Sequence, residues 1–536
     1  MKRIKLIYIP VLLSIACVVG IYIGALFNVS SPVSSLKLYN QKQKLNTLIQ
    51  LIENKYVDEV NTDSIVDLTI NQIIRDLDPH TAYLPKAELD AENQSMNGSF
   101  VGIGISFYKS NDTLTVIRTI PKGPSDIAGL KSGDKILYAD GLELSKPEIT
   151  SDSIVKLLKG ERLTEVSLKV KRDNKEELLN FKVKRNSVSL KSVDAGFMLN
   201  PKTAYIKINR FAKTTYDEFM AYAKSLKDQN PDRIIIDLRN NGGGYLKEAV
   251  NIVDEFLSDD IPILYTKDRS GSMSETLATG KGLFENENVT ILINEKSASA
   301  SEILAGAIQD NDRGLIVGRR SFGKGLVQRI MPLGDGSAVR LTVARYYTPT
   351  GRSIQRAYSN GREDYFNDYM SRYTNGELQS ADSIDVVDSL AFKTPQGKTV
   401  YGGGGIIPDI FVPKQVGEIE IDIHDMFEGG ILDRFIFDEL EKNRSYYNSL
   451  TTDDFTTYYE VSQSMLVAFK AFLQNFNLEY QGDELAQSIV RTYLKATIAL
   501  QLFNSDLAYK IIAEKDVMVL KALKSKPKLV NPNLLQ

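Results

Sequence analysis

Between residues 200 and 355 the chain alternates short, mostly apolar runs with segments of helical periodicity, and this constrains the fold more than any other feature. The spacing predicts strands at 204–208, 233–238, 289–294 and 315–317, and helices at 215–227, 246–257 and 300–309. Strands that are apolar on both faces need cover on both sides, so this stretch reads as an α/β domain with a buried sheet. Residues 326–331 and 338–346 follow as a hairpin around Asp335-Gly336. With 536 residues the chain exceeds what one core can hold, and its flanks differ in character. Residues 36–95 read as helical, with a second helical run at 63–77. Residues 96–188 carry short β-branched runs at 113–120 and 165–170, Gly-rich turns and one helix at 151–158. Residues 430–536 return to helical spacing, at 464–473 and 485–503. The polar stretch 360–388 reads as a surface excursion.

The scarce residues narrow the chemistry. Two His and one Cys leave no disulfide framework, no Cys-rich zinc site and little scope for a His-based metal centre. With 65 Lys and Arg against 68 Asp and Glu there is no basic excess, so nucleic acid is not an expected partner. At the N-terminus Lys2, Arg3 and Lys5 precede an apolar run of 22 residues, Leu6 to Phe27. As a helix that run is about 33 Å long, enough to cross a bilayer. It is longer than the usual core of a cleaved signal peptide, and no clear small-x-small site follows. Residues 1–29 are therefore expected to be an uncleaved anchor, with the remainder exported to the outer, periplasmic side of a bacterial cytoplasmic membrane. Cys17 lies inside the run. Ser14 stands where a lipidation box has Leu, so Cys17 reads as a buried apolar residue of the membrane helix.

Three segments could carry chemistry. Gly242-Gly243-Gly244 follows a strand and precedes a helix, which suits backbone N–H donation to an anion or a plain tight turn. The run from Gly318 to Lys324 has the spacing of a phosphate loop, but Gly325 replaces the magnesium-binding hydroxyl and a strand follows where a helix is required. Ser297-Ala298-Ser299-Ala300-Ser301-Glu302 opens a helix, a place for either a nucleophile or a cap. His80 sits in the turn after Asp78-Pro79 and reads as a packing residue. A serine nucleophile without a suitable His needs another base, and a Ser-Lys dyad supplies one if burial keeps the lysine neutral. Lys324 lies between two glycines, and Gln328 lies where it could hold the amine.

These segments resemble the C-terminal processing peptidases, or tail-specific proteases. The resemblance rests on the serine run 297–303, on 321–328 (Ser-Phe-Gly-Lys-Gly-Leu-Val-Gln), and on 237–244 (Asp-Leu-Arg-Asn-Asn-Gly-Gly-Gly). It rests also on 346–354, 402–409 and 77–81, all in the expected order. It implies a multidomain α/β chain: an α/β protease core of the ClpP/crotonase-like kind at 189–415, a PDZ domain at 96–188, and helical N- and C-terminal regions. It implies Ser299 as nucleophile and Lys324, 25 residues later, as base, with Gln328 in support. The oxyanion hole implied is the backbone N–H of Ala300 and of Gly242 or Gly243. Many members have Pro-Gly-Gly where Asn241-Gly242-Gly243-Gly244 stands, which blurs the choice of glycine. Val101-Gly102-Ile103-Gly104-Ile105 resembles the loop that binds a peptide carboxylate, and a PDZ domain takes an extended peptide as an added strand. The expected partners are proteins or peptides with free C-termini and the membrane at residues 6–27. A second copy or an adaptor on 430–536 is a further expectation, and neither metal nor cofactor is expected. The competing expectation is a PDZ-based scaffold or chaperone with a silent protease site.

Overall fold

The computed structural model describes residues 9–27, 32–110, 113–146, 148–173, 175–414, 423–478 and 484–525. The chain divides into two compact units, residues 1–77 and 78–536. The first holds α1 (Ile9–Phe27), α2 (Pro32–Lys55) and α3 (Thr62–Arg75). Asn61 starts α3 by accepting the Ser64 N–H at 3.1 Å on its side-chain oxygen. The basic flank and Leu6–Tyr8 of the expected anchor lie outside the described residues. Helix α1 has 19 residues, about 28 Å at 1.5 Å per residue, against a bilayer core of about 30 Å. Among the described residues no helix is long and apolar enough to cross a membrane, so the transmembrane reading of 6–27 is without structural support. Cys17 lies on α1, with its side chain not covered by other parts of the chain.

The second unit opens with β1 (Ala82–Leu84) and α4 (Lys86–Met96). A β domain follows: β2 (Ser99–Gly102), β3 (Ile105–Ser110), β4 (Thr113–Thr119), α5 (Pro124–Ala128), β5 (Lys135–Ala139) and β6 (Leu142–Glu143). It continues with α6 (Ser151–Leu158), β7 (Glu165–Lys171), β8 (Leu179–Lys184) and β9 (Asn186–Ser189). Its main sheet runs β3-β4-β5-β7-β8 with β6 on β5, while β2 pairs with β9. Alternate residues of β7 (Val166, Leu168, Val170) enter its core with Leu114, Val116 and Ile136.

The α/β domain contains β10 (Val193–Asn200), β11 (Thr203–Ile208), α7 (Thr215–Lys227), β12 (Arg233–Asp237) and α8 (Leu246–Asp254). Next come β13 (Pro262–Asp268), β14 (Met273–Leu277), β15 (Asn288–Ile293), α9 (Ala300–Asp310), β16 (Gly314–Gly318), β17 (Leu326–Pro332) and β18 (Ala338–Tyr347). It ends with α10 (Arg362–Thr374), β19 (Ala391–Lys393), β20 (Thr399–Tyr401) and β21 (Ile410–Phe411). Its central sheet runs β10-β11-β12-β15-β16-β21, parallel throughout except for β10. A second sheet runs β1-β18-β13-β14 with β17 on β18.

The pleat explains why the central strands carry consecutive apolar residues. Ile234 and Ile236 of β12 pack in one core with residues of α7, α8 and α9. Ile235, between them, faces the opposite core with Leu292, Val317 and the C-terminal helices. Those helices are α11 (Ile423–Glu428), α12 (Ile431–Glu441), α13 (Arg444–Ser449), α14 (Thr452–Tyr458), α15 (Gln463–Gln474), α16 (Glu484–Leu502), α17 (Ser505–Ala513) and α18 (Val517–Lys524). The C-terminal region therefore covers the second face of the sheet. It also touches the β domain: the Tyr108 hydroxyl donates to Asp438 at 2.6 Å, and Arg118 pairs with Asp433 at 3.6 Å. The stretch read as a surface excursion is mostly exposed, but it contains α10, which buries Tyr365 and Arg372.

Gly318 ends β16 and starts the segment that leads to Lys324. Its φ is +134°, and a Cβ there would lie 2.0 Å from the Ile293 carbonyl oxygen. Gly318→Ala must move β16 away from β15. The expected result is a loss of about 3 kcal/mol or more, read from the midpoint of urea unfolding.

Candidate active site

The site is assembled at the N-terminus of α9. Ser299 is the residue before the helix and holds φ +56° and ψ −112°, a conformation that costs an L-residue energy. Its neighbours fix it there. Ala298 N–H and the Ser301 hydroxyl both donate to the Asn241 carbonyl, at 3.0 and 2.9 Å, stitching the serine run to the Gly-rich turn after β12. Asn241 in turn donates its side-chain amide to the Ile208 carbonyl at 3.0 Å. Gly243 sits against Ser299: a Cβ on it would fall 2.8 Å from Ser299 Cβ and 3.0 Å from Ala300 N, and its φ is +100°. Only glycine fits so close an approach. The Gly243 N–H donates to Asn241 Oδ1 at 2.8 Å, whereas Gly242 is exposed with open space where a Cβ would stand.

Glu302 joins the two halves of the site. Its carboxylate is 1% exposed. One oxygen accepts the Ser321 hydroxyl at 2.6 Å and the Gly323 N–H at 2.7 Å. The other accepts the Ser299 N–H at 2.8 Å and the Lys324 N–H at 2.9 Å. Burial raises its pKa, and these four donors pull against that rise. Tyr346 of β18 makes a second bridge. Its hydroxyl is shared between the Lys324 carbonyl at 2.6 Å and the Ser299 carbonyl at 3.1 Å. Ser299 and Lys324 are thus brought together backbone to backbone. Among the described residues no hydrogen bond joins the Ser299 hydroxyl to the Lys324 amine.

The Lys324 amine donates to Gln328 Oε1 at 2.8 Å. Gln328 Nε2 donates to the His80 carbonyl at 2.7 Å, which fixes which end of the amide faces the lysine. Lys324 precedes the strand β17, not a helix, as the rejection of a phosphate loop requires. Burial lowers the Lys324 pKa to about 8, helped by the Arg340 cation and opposed by Glu302, Asp78 and Glu92. The amine is therefore largely neutral in mildly alkaline solution.

His80 acts through its backbone. Its turn is tied by Asp78, which accepts the N–H groups of His80 and Thr81, each at 2.9 Å, and the Thr81 hydroxyl at 2.5 Å. The His80 ring lies 2.8 Å from the Tyr365 hydroxyl. Burial, and then the Lys324 charge, push its pKa down to about 3, so the imidazole stays neutral. Sequence reasoning placed His80 in a turn but assigned no role in the site to its carbonyl, to Glu302 or to Tyr346. Glu302 had a readable signal, since Ser299 followed three residues later by Glu is a capping-box pattern. Tyr346 had none, because it approaches across the second sheet.

In the β domain, the carbonyls of Ile103 and Gly104 accept the N–H groups of Ser125 at 2.9 Å and Ile120 at 3.0 Å. Gly104 has φ +72°. Among the described residues the N–H groups of Ile103 and Gly104 donate to no acceptor. The adjoining β3 is the edge strand of its sheet, paired with β4 alone.

Comparison with known proteins identifies the domains. Residues 202–360 match the model of peptidase family S41, residues 101–183 a PDZ domain, and residues 423–504 a family of unknown function. The carboxy-terminal-processing protease of Bartonella bacilliformis is 33% identical over 322 residues, 59% of this chain and 73% of the relative. The chain belongs to peptidase family S41. The carboxy-terminal processing protease CtpB of Bacillus subtilis is 30% identical to this S41 peptidase over 333 residues, 60% of this chain and 68% of the relative. Among solved structures, the photosystem II D1 C-terminal processing protease shares 25% identity, covering 68% of this chain and 86% of that one, with a TM-score of 0.36. The S41 peptidase is thus a serine-type hydrolase of the C-terminal processing kind that carries a PDZ domain.

Glu302→Gln tests the bridge. An amide presents one acceptor where the carboxylate presents two, so two of the four donors must face an NH2 group. A hydrogen bond to a charged group contributes about 1.5–3 kcal/mol. The variant is expected to lose roughly 100-fold in kcat with a much smaller change in KM, measured by steady-state peptide cleavage.

Proposed function

We propose that this peptidase cleaves polypeptides near their C-termini with Ser299 as nucleophile and neutral Lys324 as general base. The observation that carries the reading is the setting of Lys324: a buried amine with its pKa at about 8, one N–H held by Gln328 Oε1, and its backbone tied to that of Ser299 through Glu302. A neutral amine has one lone pair. With one N–H committed to Gln328, rotation about Cε–Nζ is restricted and the lone pair is free to accept the Ser299 proton.

Ser299 Oγ then attacks the scissile carbonyl, and its proton passes to Lys324 Nζ. The tetrahedral oxyanion is held by backbone N–H groups at the start of α9, where the helix dipole adds positive potential. Ala300 N–H is one donor. Gly242 is the better second donor in this conformation, because the Gly243 N–H is engaged by Asn241. Lys324 returns the proton to the leaving amine, and a water molecule repeats the sequence on the acyl-enzyme.

The PDZ domain supplies recognition of the tail. A peptide adding to the edge of β3 ends at the 101–105 loop, where the N–H groups of Ile103 and Gly104 are available to a terminal carboxylate. Neither an amide nor a longer chain presents that anion.

Ser299→Ala and Lys324→Ala are each expected to abolish cleavage of an unstructured peptide while leaving the thermal unfolding temperature within a few degrees. Full activity in either variant would refute the dyad, and an inactive wild type would favour the scaffold. For the wild type, kcat/KM should rise with pH through about 8, since deprotonation of Lys324 creates the base. A peptide with a free C-terminus should be cleaved faster than its C-terminal amide; equal rates would exclude carboxylate recognition.

A further inference from the structure

The stretch between Gln355 and Gly402 runs beyond the S41 match, which ends at residue 360, and stops short of the next, which begins at 423. It nevertheless builds against the site. The Arg372 guanidinium of α10 is 2% exposed and donates to the carbonyls of Arg320 at 3.1 Å, Ser321 at 2.9 Å and Phe322 at 3.3 Å. Those three residues lead directly into Gly323-Lys324. Its charge is met by Asp368 at 2.6 Å and Glu377 at 3.8 Å. Asp368 also pairs with Arg356, whose guanidinium is stacked 4.6 Å from the Phe322 ring centre and 4.2 Å from that of Tyr365. The Tyr365 hydroxyl lies 2.8 Å from the ring of His80, the residue whose carbonyl holds Gln328. Helix α10 therefore reaches Lys324 from both sides: through the carbonyls that precede it and through the glutamine that orients its amine. A buried guanidinium spread over three consecutive carbonyls is costly to desolvate, and a passive surface helix has no use for it.

We propose that α10 is a clamp on the general base, with Arg372 and Tyr365 as positioning residues that keep Lys324 dry and directed at Ser299. The proposal rests on the reading of Lys324 as the base. The charged and titratable groups that face Lys324 are Arg340 on β18, Glu302 on α9, Glu92 on α4, and Asp78 with the neutral His80 in the turn before β1. None of these belongs to α10. Loosening the clamp admits water to the amine, so its pKa moves up toward the ordinary lysine value and the acid limb of kcat/KM moves to higher pH.

The test compares the full-length wild type with Tyr365→Phe, Arg372→Met and Lys324→Ala. It measures kcat and KM from pH 6 to 10 on an unstructured peptide with a free C-terminus, with calorimetry to establish folding. Tyr365→Phe changes no charge and should fold. At pH 8 it is expected to lose about tenfold in kcat with KM within about twofold, and its acid limb should move up by roughly half a pH unit or more. Arg372→Met should show the same pattern more strongly; if it does not fold, Tyr365→Phe decides. Wild-type kcat in folded Tyr365→Phe overturns the clamp, and so does a loss of kcat with the limb unmoved, which is the result of a purely structural role. Activity in Lys324→Ala overturns the underlying base assignment, and with it the clamp, whereas an inactive Lys324→Ala beside an unmoved limb overturns the clamp alone.

Discussion

One buried carboxylate governs the site. Glu302 takes no visible part in bond making, yet the N–H groups of Ser299, Gly323 and Lys324 and the hydroxyl of Ser321 converge on its two oxygens. A carboxylate in a dry interior is expensive, and charge-assisted hydrogen bonds are what make it tolerable. The arrangement is strict in consequence. One oxygen takes both its donors from the segment before Lys324, and the other joins Ser299 to Lys324, 25 residues on, so neither segment can shift without stripping a partner from a buried anion. Ser299 and Lys324 are held in register by the same electrostatic necessity. The anion also sets a limit on the lysine: Glu302 favours the charged amine, so burial and the Arg340 cation must act against it to leave a base.

Much of this was legible in the chain. Period-two and period-3.6 patterns located four of the six strands of the central sheet and its helices to within a residue or two at most ends, whereas β10 and β21 were not read. The helix at 215–227 and that at 151–158 were read with their observed bounds. Ser299, Lys324 and Gln328 were singled out from a serine-rich helix start and a lysine between two glycines, and their roles came from the family resemblance. Other features were hidden for physical reasons. The β13–β14 hairpin is polar and exposed along β14, so its residues carry no periodic signal. Helix α10 has few apolar residues and buries Arg372 and Tyr365 instead, which inverts the pattern on which a composition reading depends. Tyr346 and the His80 carbonyl enter the site across sheets, and a contact of that kind is a property of the topology.

The C-terminal helices fill a structural role that the central sheet demands. Ile235, Leu292 and Val317 point away from α7, α8 and α9, and without α11 to α18 they would face water. The cover is pinned close to the Gly-rich turn: Arg239, two residues past the end of β12, pairs with Asp237 at 2.5 Å and with Asp516 at the start of α18 at 2.6 Å. The same region reaches the PDZ domain through Asp438 and Asp433. The helices are therefore continuous with the Gly-rich turn after β12 and with β3. The inner face of β3 belongs to the PDZ core and one edge to β4, which leaves the other edge for an added strand.

The backbone of Ser299 shows how the fold spends its stability. A non-glycine residue at φ +56° and ψ −112° costs about 1–3 kcal/mol relative to an extended or helical one. The return on that cost is position: the serine side chain stands at the mouth of α9, where unpaired N–H groups and the helix dipole meet developing negative charge. The strain persists because everything around it is over-determined. Ala298 and Ser301 are tied to Asn241, Ser299 itself to Glu302 and Tyr346, and Gly243 closes the space on the side a relaxing backbone would need. A larger residue at 243 would collide with the Ala298 carbonyl at 2.7 Å and with Ser299 Cβ at 2.8 Å, so the glycine is required by the shape of the Ser299 turn itself.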